Sequence, residues 1–181
     1  MHWNGFTAPC ISGKAPDLPL DAFENFHATF RVQTFDDIDV FVNIAVKTLS
    51  LSSMATMGLR ELVVNAIEHG NLEISFDKKS ELLARGAWQA EIERRLTLEK
   101  YRDRAASIVI LRSTDRFSID IIDQGPGFDW RGYVDPKTAP KSLLHGRGLL
   151  MAMDAGYDSI DYRGAGNEVV LRGVCNSPEI G

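Results

Sequence analysis

The chain has 181 residues, 44% hydrophobic and 25% charged, a balance that suits one ordinary soluble domain with a core of its own. A formal net charge of −5 argues against general nucleic-acid binding, and two distant cysteines, Cys10 and Cys175, suggest neither a disulfide framework nor a zinc pattern. No basic start precedes an apolar run, and no stretch reaches about 18 apolar residues, so neither a signal peptide nor a membrane span is expected and a cytoplasmic setting fits.

Residues 1–22 carry Pro9, Pro16 and Pro19 with Gly5 and Gly13 and read as an irregular arm. Phe26, Ala28, Phe30 and Val32 alternate with His27, Thr29, Arg31 and Gln33, the pattern of a half-buried strand with His27 on the solvent side. Thr34 and Asp37 form a capping-box pattern, and Ile38, Phe41, Val42, Ala45, Val46 and Leu49 predict a helix to about Leu49. Ser52 or Ser53 can cap a second helix, predicted to run to His69 and stop at Gly70. Residues 73–104 mix both signs of charge around a narrow apolar stripe that includes Leu82, Leu83, Trp88 and Ile92. They predict one or two exposed helices broken at Gly86, either a solvated insertion or a partner-docking surface.

Residues 107–112 and 117–123 read as hairpin strands around a turn at 113–116. Residues 129–145, with Gly132, Pro136 and Pro140, form a long aperiodic stretch of the kind used as a lid. A short helix over 149–155 follows, closed by Gly156, and then strands over 157–163 and 168–174 around Gly164, Ala165, Gly166 and Asn167. Strands in hairpins and helices in separate runs predict an α+β fold: a two-layer sandwich with a largely antiparallel mixed sheet and its helices on one face. Regular βαβ alternation is missing, which argues against a Rossmann or P-loop architecture.

The residues able to do chemistry fall in three segments. On an α-helix Glu61, Asn65, Glu68 and His69 share an arc of roughly 100°, opposite Leu59, Leu62, Val63, Ala66 and Ile67. A carboxylate and a carboxamide four residues apart can hold a hard cation and poise an attacking oxygen; an amphipathic helix with its polar face in water explains the stretch equally well. Asp123 ends a strand just before Gly125 and Gly127, where it could accept a hydrogen bond from an exocyclic amine beside a flat ligand, or simply cap a turn. Gly146, Arg147 and Gly148 open the short helix, whose free N–H groups favour an anion such as phosphate, although glycine before a helix is common.

Their order is more specific than any one of them. Glu61 with Asn65, Asp123-x-Gly-x-Gly, a lid, Gly146-x-Gly and a final Gly166 resemble the GHKL, or Bergerat-fold, ATP-binding family over about residues 23–175. The strings Glu-x-x-x-Asn-Ala-x-x-His-Gly and Gly-Arg-Gly-Leu are most similar to the bacterial anti-sigma-factor serine/threonine kinases. The resemblance implies ATP and Mg²⁺, with Asn65 as the metal ligand and Glu61 as the general base or orienter of the nucleophile. Asp123 would read the adenine amine, Gly125 and Gly127 would shape the adenine wall, and Gly146, Arg147 and Gly148 would meet the phosphates. It further implies an anti-sigma-antagonist-like protein substrate and a sigma factor or analogous output protein, with no direct nucleic acid and no membrane. A homodimer is compatible with it, as are an ATP hydrolase and a nucleotide-sensing module that sequesters a partner without turnover.

A carboxylate at position 61 suits transfer to a hydroxyl or to water, where a proton must leave, rather than to a histidine. Two departures from the family pattern stand out: the charged insertion after the first motif, and Asn167 where a threonine commonly follows the last glycine.

Overall fold

The computed structural model describes residues 5–7, 26–129 and 156–175. Thr34 opens the first helix, α1 (Phe35–Leu49), in a full capping box. Its hydroxyl accepts the Asp37 N–H at 3.2 Å, and the Asp37 carboxylate accepts the Thr34 N–H at 2.9 Å. Ile38, Phe41, Ala45 and Leu49 are wholly buried, as their spacing requires. The Ser52 hydroxyl caps α2 (Ser53–Asn65) by accepting the Ala55 N–H at 3.1 Å, and α2 buries Leu59, Leu62 and Val63.

Both helices lie on one face of a sheet made of β1 (Gly5–Thr7), β2 (His27–Val32), β3 (Ala106–Arg112), β4 (Arg116–Ile122), β5 (Ser159–Arg163) and β6 (Glu168–Val174). Among the described residues the strand order is β1-β2-β3-β4-β6-β5, antiparallel throughout except for the parallel pair β1 and β2. Alternation aims Phe30, Ile108, Ile110, Ile119, Ile121 and Leu171 at the helices, where burial of each side chain contributes about 1.5–3 kcal/mol. The molecule is therefore the α+β two-layer sandwich that the patterning predicts.

The insertion forms two helices, α3 (Phe76–Ala84) and α4 (Trp88–Thr97), with Gly86 in the break between them. It is docked rather than loose. Phe35 packs edge-on to Trp88 at 5.3 Å, and Arg95 donates to the carbonyls of Leu72 and Glu73. The outward side carries local ion pairs such as Lys78 with Glu81 and Arg94 with Glu91.

Several expectations change. Gly5–Thr7, within the stretch read as an irregular arm, pairs with β2; three residues are too few for a period to show. The second helix does not stop at Gly70 but widens into a π-helical turn, Ala66–Asn71, and the left-handed residue after it is Glu73 at φ +53°. One extra residue in that turn shifts the helix phase, so the four-residue chemical face divides. Glu68 turns inward, is fully buried, and accepts the Trp88 indole N–H at 2.7 Å and the Lys79 ammonium at 2.7 Å. Residues 130–145 of the lid, the helix at 149–155 with Gly146, Arg147 and Gly148 before it, and residues 176–181 lie outside the described residues.

Candidate functional site

β4 ends at Ile122, and the chain then crosses the end of the widened helix. The Asp123 carboxylate accepts the Gly125 N–H at 2.7 Å through Oδ1, a local turn of the kind short acidic side chains form. Asp123 also donates its backbone N–H to the Asn167 carbonyl at 3.0 Å, and its own carbonyl accepts the Asn167 carboxamide N–H at 3.2 Å. The Gln124 N–H goes to Asn71 Oδ1 at 2.8 Å, while Gln124 Oε1 accepts the Ala105 N–H at 2.9 Å. The π turn, the segment after β4 and the β5–β6 turn are thus joined at one place.

Close approach explains two glycines there. A Cβ on Gly70 would lie 2.3 Å from the Asp123 carboxyl carbon, and one on Gly125 would lie 2.3 Å from the Gly70 carbonyl oxygen. The Asp123 carboxylate rests directly on the helix backbone because no side chain intervenes. Gly125 is therefore packed against Gly70 and does not line the cavity beside it; Gly127 does.

That cavity is a slot open at its mouth, about 800 Å³ with the open space there counted. Leu62, Ala66, Ile121 and Val169 give it apolar walls, with Phe76, Phe128 and Tyr162 supplying aromatic faces. The polar groups on its wall include Asn65, His69, Asp123 and Asn167. Glu61 sits one helical turn before Asn65, half-buried and outside the wall.

Burial pushes the Asp123 carboxyl up to about 6, against the opposing pull of the Gly125 N–H and of the Arg104 guanidinium. Burial likewise raises the Tyr162 phenol, helped by the charges of Asp123 and Glu61. His69 is lowered chiefly by burial, with the Lys79 charge acting the same way and the Ile74 carbonyl, Glu68 and Glu61 opposing. Its Nδ1 meets the Ile74 carbonyl, and its ring lies against Phe76 with centroids 4.1 Å apart.

An apolar slot with the half-buried Asp123 carboxylate and the Asn65 and Asn167 carboxamides on its wall is suited to a flat heterocycle carrying an amine. Residues 48–172, well over half of the chain, match the family model of the histidine kinase-like ATPase domain, and the chain belongs to that family. It is an ATP-binding, ATP-using domain of the GHKL type. No curated protein matches the chain. Among the described residues no helix is long and apolar enough to cross a membrane.

The fold brings Asn65, Asp123 and Gly127 to one cavity, sets Glu61 beside it and Gly125 behind it. Asn71, Gln124, Phe76 and Tyr162 were not singled out from the sequence. Asn71 had a signal, a polar residue following the motif glycine where a helix was expected to end; Phe76 and Tyr162 had none beyond ordinary apolar spacing.

Proposed function

We propose that this ATP-using domain is a protein serine/threonine kinase of the anti-sigma-factor type, passing the γ-phosphate of ATP to a hydroxyl on a partner protein. The observation that carries the reading is Asn65 on the wall of the Asp123 cavity with the Glu61 carboxylate one turn earlier on the same helix. As a carboxylate, Asp123 accepts a hydrogen bond from the adenine amine, and Gly127, at φ +76° and packed on the Ala165 carbonyl, brings its backbone to the adjoining wall. The Asn65 carboxamide oxygen is a hard neutral donor and fits Mg²⁺, which when bound neutralises charge on the triphosphate. Glu61 takes the proton from the partner's hydroxyl as that oxygen bonds to the γ-phosphorus and the bond to the β–γ bridging oxygen breaks, releasing ADP. Gly146, Arg147 and Gly148 meet the phosphates in this reading. The substrate is an anti-sigma-antagonist-like protein, and the regulated partner is a sigma factor or an analogous output protein.

The kinase reading is tested by following label from γ-labelled ATP in the presence of co-purified partners. Transfer to a protein serine or threonine supports it; label appearing only as free phosphate makes the domain a hydrolase, and label that stays on ATP makes it a binding module. Glu61→Ala should bind ATP within about twofold of wild type yet lose transfer by about 10²–10⁴-fold, the range for a general base. Asn65→Ala should weaken ATP binding in calorimetry when Mg²⁺ is present. Full activity of the Glu61 variant would exclude the base role.

A further inference from the structure

Where the motif helix ends, its last carbonyls have no helical N–H groups left to meet. Arginines of the charged insertion take that place. Arg95 donates to the carbonyls of Leu72 and Glu73, and Arg104 Nη1 donates to the Asn71 carbonyl at 3.1 Å and to Glu73 Oε1 at 2.8 Å. Two guanidinium groups there also oppose the negative end of the helix dipole. The buried Tyr101 ring backs Arg104, its centroid 5.3 Å from the guanidinium carbon.

The same helix end is the platform of the Asp123 turn. Gly70 meets the Asp123 carboxylate, Asn71 Oδ1 accepts the Gln124 N–H, and Ala105, the residue after Arg104, donates its N–H to the Gln124 side chain. We propose that Arg104 is a positioning residue of the nucleotide site: through the Asn71 carbonyl it holds the helix end where Gly70 and Asn71 seat the Asp123 turn. The inference rests on ATP binding at Asp123. Arg104 lies off the cavity wall, so it acts through these neighbours and not on the ligand. Its charge also favours the ionised Asp123 against burial. The other titratable groups around Asp123 among the described residues are His69 on the π turn, Tyr162 on β5 and Glu168 on β6, with Glu61 just outside the wall.

Three variants separate positioning from charge and from packing. Arg104→Gln removes the charge and the reach, while Arg104→Lys keeps the charge on a side chain one bond shorter. Arg94→Gln is the control, an arginine of the same insertion that pairs with Glu91 on the outward side. ATP affinity is measured by calorimetry at about pH 8, well above the Asp123 midpoint of about 6, so that its carboxylate is ionised throughout. The Asp123 carboxyl is titrated in the apo-protein by carbon-13 NMR, and thermal melts confirm folding. Arg104→Gln should bind ATP about tenfold more weakly and Arg104→Lys about threefold, within the range for residues that touch no ligand, while Arg94→Gln matches wild type. The Asp123 midpoint should rise in Arg104→Gln and stay near its wild-type place in Arg104→Lys. Wild-type affinity in both Arg104 variants, or in Arg104→Lys alone should Arg104→Gln not fold, would overturn the proposal. So would an equal loss in Arg94→Gln, or a midpoint that moves while affinity stays fixed, which would make Arg104 a distant charge only. Failure of wild type to bind ATP would instead overturn the function proposed for the cavity, and the role of Arg104 with it.

Discussion

Asp123 carries the most direct residue-scale consequence, because burial disfavours the charge that its proposed role needs. In the folded protein its carboxyl lies at about 6, above the ordinary 3.8. Between about pH 4 and 6 the native state therefore binds more protons than the unfolded chain, and stability contributed at this site falls as pH rises through that window. Nucleotide binding runs the other way, since the carboxylate accepts from an amine more strongly than the neutral acid does. We expect ATP affinity to rise as pH climbs through about 6, read as the difference from Asp123→Asn so that titration of the phosphates cancels. The same variant should flatten the pH dependence of apo-protein stability between pH 4 and 6, measured by urea denaturation. An affinity difference that does not change with pH would remove Asp123 from contact with the amine.

At the scale of the element, the widened turn Ala66–Asn71 serves two neighbours at once. His69 and Gly70 line the cavity, while Glu68 binds Lys79 and Trp88 of the insertion. A fully buried carboxylate is tolerable only because both oxygens have donors. Glu68→Ala would leave the indole N–H unpaired and Lys79 without its counter-charge. Since Lys79 keeps some contact with solvent, the expected cost is about 2–4 kcal/mol, at or below the range for breaking a buried pair. Hydrogen exchange should then show α3 and α4 losing protection before the sheet does. The helical period could not reveal this arrangement. Ala66, Ile67 and Gly70 are buried on several sides of the turn, so the apolar pattern does not register where the phase changes.

At the scale of the molecule, the junction of helix and sheet end is held by close backbone contact at Gly70 and Gly125, and Gly127 and Gly166 bring the same segment onto the β5–β6 turn. Gly70→Ala or Gly125→Ala should cost about 1–3 kcal/mol through overpacking, since backbone or a hydrogen-bonded carboxylate must move. Because the displaced groups position Asp123, the loss in denaturant midpoint should come with weaker ATP binding. Gly86→Ala is the contrast: no atom lies within 4 Å of its added Cβ, so its cost is confined to backbone strain at φ +64° and ATP affinity should not change.

Local rules made much of the protein legible from its sequence. The Thr34–Asp37 cap, the alternation of β2, β3 and β4 and the hairpin turn depend on neighbours within a few residues, and the order of Glu61, Asn65, Asp123 and Gly127 is read directly along the chain. That was enough for the α+β sandwich and for the family. Tertiary structure alone decided that the motif helix passes through Gly70, that Glu68 faces the insertion, and that Gly125 packs on the helix while Gly127 faces the cavity. Each of those outcomes turns on a contact between segments some 20 to 55 residues apart, as from Glu68 to Trp88 or Gly70 to Gly125, and such contacts leave no periodic trace in the chain.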